Sequence, residues 1–112
     1  MGDSLKRADW TRKEMVISLA YYATLSYPKV IDRLAGQECS LYLPGRSSSS
    51  VALRLANYVA RDPQMAKLGF KGMYGGGQKV DQIWDEFSDR NGLLDWKKLV
   101  MALLEESTGN GK

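Results

Sequence analysis

Apolar residues recur at helical spacing along nearly the whole chain, and no stretch alternates long enough to demand a sheet. The pattern predicts an all-α fold of about five helices, with a small wing at residues 69–79 as the one allowance for strand. The chain's 112 residues, 44% of them apolar, make one domain over 1–112 that can bury a core without disulfides. Residues 1–8 and 107–112 fall outside the pattern and are expected to be flexible.

Thr11-Arg12-Lys13-Glu14 reads as a capping box, in which hydroxyl and carboxylate each take the other residue's amide. Trp10 just ahead of it is placed to staple onto Met15. The helix that follows is apolar on most of its circumference (Met15, Ile17, Leu19, Tyr22, Leu25) and belongs deep in the core, ending at Tyr27-Pro28. Pro28 opens a short second helix with Val30, Ile31 and Leu34 inward and Gly36 as its stop. After the turn Leu41–Gly45, four serines (Ser47 to Ser50) offer N-caps for a third helix over about 48–61. Asp62-Pro63 ends it or starts a short turn through Leu68. Five glycines between 69 and 77 exclude a regular element there. Val80, Ile83, Trp84 and Phe87 define a fourth helix; a fifth faces Trp96, Leu99, Val100, Leu103 and Leu104 inward.

The chain has no histidine and one cysteine, Cys39. An intramolecular disulfide, a zinc cluster, a Ser-His-Asp triad and a histidine-dependent nuclease centre are thereby excluded within it. Cys39 reads as a small semi-buried side chain, and the carboxylates of the last two helices read as their solvated sides. No catalytic residue, metal or cofactor is expected. No apolar run is long enough for a membrane span, and the first seven residues lack a signal peptide's apolar core, so a cytoplasmic location is expected.

Charge is distributed unevenly. Residues 46–79 carry Arg46, Arg54, Arg61, Lys67, Lys71 and Lys79 against Asp62 alone, a net +5, whereas residues 80–112 carry a net −3. Such asymmetry suits a surface that meets a polyanion. Within the third helix, Arg54, Asn57 and Arg61 are spaced to share a face, with Ser50 one turn before Arg54. Serine hydroxyls and free amides at the helix start can hold phosphates, arginine can fork onto guanine and asparagine onto adenine. The expected DNA-binding residues are Arg46, Ser47, Ser48, Ser49, Ser50, Arg54, Asn57, Arg61, Lys67 and Lys71. The glycine run does not match a phosphate-cradling motif, since no Gly-Lys-Ser/Thr ending follows it.

Two resemblances attach to these residues. Trp10-Thr11-x-x-Glu14, Leu43-Pro44-Gly45-Arg46-Ser47 and Val51-x-x-Arg54 resemble the Myb/SANT repeat over residues 10–61, although the family's later tryptophan pattern is missing and Tyr58 stands where a second bulky aromatic would serve. This implies a helix-turn-helix whose third helix reads DNA. Nearly the whole chain also resembles an N-terminal domain found fused to HNH endonuclease modules in bacterial proteins. That resemblance rests on the same tryptophan block, on Gly45-Arg46-Ser47-x-Ser49-Ser50-Val51 running through Tyr58, and on Asp62-Pro63, Gly69-Phe70-Lys71-Gly72 and Val80-Asp81-x-Ile83-Trp84 through Phe87. It implies a DNA-targeting module in restriction, phage or mobile-element biology, with a nuclease in cis or in trans and nothing catalytic in this chain.

The expected function is double-stranded DNA binding by a non-enzymatic module. The alternative is a protein-interaction module that binds an acidic or basic protein partner.

Overall fold

The computed structural model describes residues 9–107 and is all-helical. Its elements are α1 (Arg12–Thr24), α2 (Arg33–Ser40), α3 (Ser48–Val59), α4 (Pro63–Lys67), α5 (Gly77–Phe87) and α6 (Trp96–Ser107). The short turn expected after Asp62-Pro63 is the helix α4, which makes six helices among the described residues. α1 and α3 form the centre; α2 lies on α3, α6 lies on α1, and α5 touches both. Ser107 closes α6, and the other residues expected to be flexible (1–8, 108–112) lie outside the described part.

The capping box forms as its spacing requires: Glu14 N donates to Thr11 Oγ1 at 3.1 Å, and Thr11 N to Glu14 Oε1 at 2.9 Å. Met15, Val16, Ser18, Leu19 and Tyr22 are all buried, so α1 is enclosed on most sides. It ends at Thr24, and its last carbonyls are held from beyond the helix. The buried Lys29 ammonium donates to Tyr22 O (2.8 Å) and Leu25 O (2.6 Å) while lying over the rings of Tyr22 and Tyr27. A cation there also meets the negative end of the helix dipole.

The second helix differs from its sequence reading. It starts at Arg33, not Pro28, because Asp32 is the functioning cap, its carboxylate accepting from Ala35 N at 2.9 Å. Val30 and Leu34, expected inward, are 62% and 59% exposed. Gly36 is no stop; it lies inside the helix, and a Cβ there would fall 2.7 Å from Ser48 O and 2.9 Å from the Ala52 Cβ. The glycine lets α2 and α3 approach closely.

No wing forms at 69–79. Residues 69–76 are irregular and α5 begins at Gly77; the isolated bridge among the described residues pairs Ser88 with Leu94 instead. α6 also corrects its expectation: Leu99 and Ala102 are buried and Leu103 packs against the core, whereas Trp96, Val100 and Leu104 are 47%, 43% and 57% exposed. That helix packs chiefly on α1, with Lys98 reaching Glu86 O of α5, so only a narrow stripe of its apolar surface is covered.

At the centre, Tyr22 meets Tyr58 and Trp84 edge-on, with ring centroids 5.7 and 5.9 Å apart. Their polar ends are satisfied: Tyr58 OH shares a hydrogen bond with Ser18 Oγ (2.8 Å), and Tyr22 and Tyr27 both donate to Asp62 (2.7 Å each). Asp62 also caps α4 through Gln64 N. Cys39 is fully buried, more so than its sequence reading, and burial pushes its thiol up to about 12. Unfolded, the thiol titrates near about 8.5. The folded protein thus holds a proton that the unfolded chain releases, and the Cys39 contribution to stability, complete below about pH 8.5, falls as the pH rises toward 12. Urea midpoints taken from pH 7 to 11 should therefore drop more steeply above about pH 8.5 in the parent than in Cys39→Ala. Parallel curves for the two proteins would refute this assignment.

Candidate functional site

The serine tetrad is the N-terminus of α3. Ser47 is its cap, accepting from Ser50 N at 3.2 Å, and Ser50 Oγ donates back to Ser47 O at 3.0 Å. Ser47 Oγ also lies 3.3 Å from Ser49 Oγ, so these hydroxyls largely serve the helix start itself. Ser49 remains exposed.

Arg46 is not a free surface cation. Its guanidinium meets the Glu14 carboxylate twice, at 2.8 and 3.1 Å, donates to Asp9 O at 3.1 Å, and lies 5.0 Å from the Trp10 ring centroid. Ion pair and capping box thus share one carboxylate. Trp10, expected to staple onto Met15, joins the same core cluster as Met15, and its indole also carries two arginines.

The second of those is Arg54, with Cζ 4.7 Å from the ring centroid. Its Nε and Nη1 are buried and have no hydrogen-bond partner among the described residues. Unpaired buried donors of a charged group are costly and call for an explanation. Burial lowers the guanidinium's affinity for its proton; Tyr58 opposes that, while the nearby charges of Arg46 and Arg61 add to it. An anion beside Arg54 would relieve both effects.

The Arg54, Asn57 and Arg61 stripe, read as one exposed face, is largely covered. The glycine segment lies across it. Gly72, at φ +66°, sits so close to α3 that a Cβ would fall 2.6 Å from Ala60 N and 2.7 Å from Ala56 O. Met73 N donates to Ala56 O (3.1 Å), and the buried Asn57 gives its Nδ2 to Met73 O (2.7 Å). Asn57 therefore holds the loop and does not present its amide to a base edge. Arg61 is engaged with Asp81 at 2.8 Å and lies 4.6 Å from the centroid of the Tyr74 ring. Lys67 and Lys71 are exposed, on α4 and on the glycine segment.

What remains open is the N-terminal half of α3 and a cleft of about 560 Å³ beside it. Its walls carry Trp10, Arg46, Arg54, Gly76 and Lys79, with Asp9 as the one carboxylate. Lys79 reaches in from α5, its Nζ 2.7 Å from Trp10 O. Gly76, at φ +82°, brings the backbone so close that a Cβ would lie 2.7 Å from Arg54 Nη1. The chemistry available is anion binding: a guanidinium with spare donors, an ammonium, and a low-dielectric aromatic wall. Sequence reasoning named Arg46 and Arg54 but not Trp10 or Gly76 as lining. The alanines at 52, 56 and 60, one helical turn apart, were the available signal that other backbone closes on α3.

Comparison with family models, with curated proteins and with solved structures finds no match. The two family resemblances accordingly stand on the motifs that carry them. No helix among the described residues is long and apolar enough to cross a membrane.

Proposed function

We propose that this chain is a double-stranded DNA-binding module that grips the phosphate backbone with the cleft between α3 and the glycine segment. The observation that carries this reading is the Arg54 guanidinium, held on Trp10 with Nε and Nη1 unpaired and Lys79 lining the same cleft. A phosphate oxygen in the cleft would offset the desolvated charge of Arg54, and turning Nε or Nη1 outward from their buried positions would give those donors a partner. Ser49 and the first turn of α3 lie at hand for an adjacent phosphate, and Lys67 and Lys71 add diffuse attraction. In this reading α2, the intervening turn and α3 form a helix-turn-helix that docks by the start of α3, since the glycine segment occupies the outer side of its second half. The resemblance to the HNH-associated domain supports a targeting role beside a nuclease, in cis or in trans.

The test is a fluorescence-anisotropy titration with a labelled duplex across a salt series. Arg54→Ala should weaken binding by about 1–3 kcal/mol on every sequence and reduce the salt slope by about one. Unchanged affinity and slope in a folded Arg54→Ala would remove the reading. An acidic polypeptide is the competing partner, because a carboxylate also satisfies a guanidinium. If it displaces the duplex at lower charge concentration than random competitor DNA does, the module is a protein binder instead.

A further inference from the structure

Beside the cationic cleft lies a second cavity of about 280 Å³, and the two share Trp10, Arg54 and Gly76 as common walls. The second one differs in character. Leu53 of α3 and Met73 and Tyr74 of the glycine segment line it, with Ser50 and Asn57 as its uncharged polar groups. Tyr74 is 77% exposed, and the Arg61 guanidinium lies over its ring. Its position is set by the backbone next to it, because the carbonyl and amide of Met73 are both tied to α3. Leu53 is 49% exposed and Met73 is 53% exposed, so three large apolar side chains border one slot without filling it.

A cationic compartment joined to an apolar slot with an aromatic wall matches a ligand that carries an anion beside a flat ring. Aromatic side chains stack any nucleobase, and a base leaves its duplex more easily when it is mismatched than when it is paired. We infer that the two cavities form one site for a single nucleotide swung out of a duplex, its phosphate on Arg54 and Lys79 and its base between Leu53 and Tyr74. This inference rests on the DNA-binding reading and assigns that cleft a specific occupant. Arg61 lies over the Tyr74 ring, and Asn57 fixes the loop that carries it.

The experiment uses the full chain and two short duplexes of one sequence, one fully paired and one with a central mismatch, titrated by anisotropy at fixed salt. The expected result is about tenfold tighter binding of the mismatched duplex, because less energy goes into opening it. Tyr74→Ala and, separately, Leu53→Ala should bring that ratio close to one, with circular dichroism reporting that both remain folded. Arg54→Ala should weaken both duplexes and keep the preference. Equal binding of the two duplexes by the parent overturns the nucleotide site and leaves the DNA reading standing. So does a preference that survives both slot variants. Failure to bind either duplex overturns the DNA reading together with the inference. A phosphotyrosine peptide, which also joins a ring to a phosphate, serves as competitor. Displacement of the mismatched duplex at a lower concentration than a free mononucleotide requires would overturn the assignment in favour of a phosphopeptide.

Discussion

Arg46→Ala is expected to lower the unfolding free energy by about 3–5 kcal/mol, a large share of what holds a domain of this size together. The Arg46 and Glu14 side chains are only 4% and 9% exposed, and their closest contact is 2.8 Å. Truncating the arginine takes two charge-assisted hydrogen bonds from a buried carboxylate. It also removes a bond to Asp9 O and one of the two guanidiniums resting on Trp10. Glu14→Ala should cost a comparable amount, because it takes the carboxylate from a buried guanidinium and dissolves the capping box that starts α1. The double variant should cost clearly less than the two single effects added, since each single change already destroys the shared interaction. Urea midpoints followed by circular dichroism measure all three. Strict additivity, or an Arg46→Ala protein within about 1 kcal/mol of the parent, would show the pair to be incidental. The Arg12 pair with Glu86 is the contrast: at 50% and 45% exposure it sits in solvent, and its loss should cost no more than about 1 kcal/mol.

Trp84→Ala should cost a similar amount, about 3–5 kcal/mol, for a different reason. The indole is 5% exposed and lies against Tyr22 and Tyr58, at centroid distances of 5.9 and 6.3 Å. Its Nε1 donates to Gly92 O at 3.1 Å, so it also anchors the link between α5 and α6. Removing it opens a cavity at the meeting point of α1, α3 and α5 that the stiff surrounding rings cannot close. Trp84→Phe should recover most of the loss, lacking chiefly the bond to Gly92, a net difference of about 1 kcal/mol. A Trp84→Phe protein no more stable than Trp84→Ala would show the hydrogen bond, and not the ring, to be the dominant part.

The contrast between these sites and the cleft explains what was legible in the sequence. α1 and α3 could be read because their start signals are local: Thr11 with Glu14, and Ser47 ahead of an apolar run, act within one turn of chain. α5 could be read because Val80, Ile83, Trp84 and Phe87 face one core. α2 was misplaced because Pro28 and Gly36 are usual boundary residues, whereas here Asp32 caps the helix and Gly36 serves contact with Ala52. In α6 the apolar pattern of Trp96, Val100 and Leu104 does not distinguish them from Leu99 and Leu103, yet they fall outside the stripe that packs on the core. The helical wheel placed Arg54, Asn57 and Arg61 on one line correctly, but it could not tell that a loop from later in the chain would lie over them. Arg54 was singled out for reaching outward; the structure gives it a different situation, seated on Trp10 from the start of the chain and Gly76 from its second half.

The seating of Gly72 on α3 ties the composition of two distant segments together. The backbone of Ala56 and Ala60 and the Val59 Cβ leave just enough room for a residue that has no side chain of its own. A side chain at position 72 would push the loop outward, carrying Tyr74 away from Leu53 and freeing Asn57 from the Met73 carbonyl. The width of the slot is thus set by a residue that does not line it, and a redesign that aims to widen or narrow it should begin with Gly72 and the Val59 it rests on.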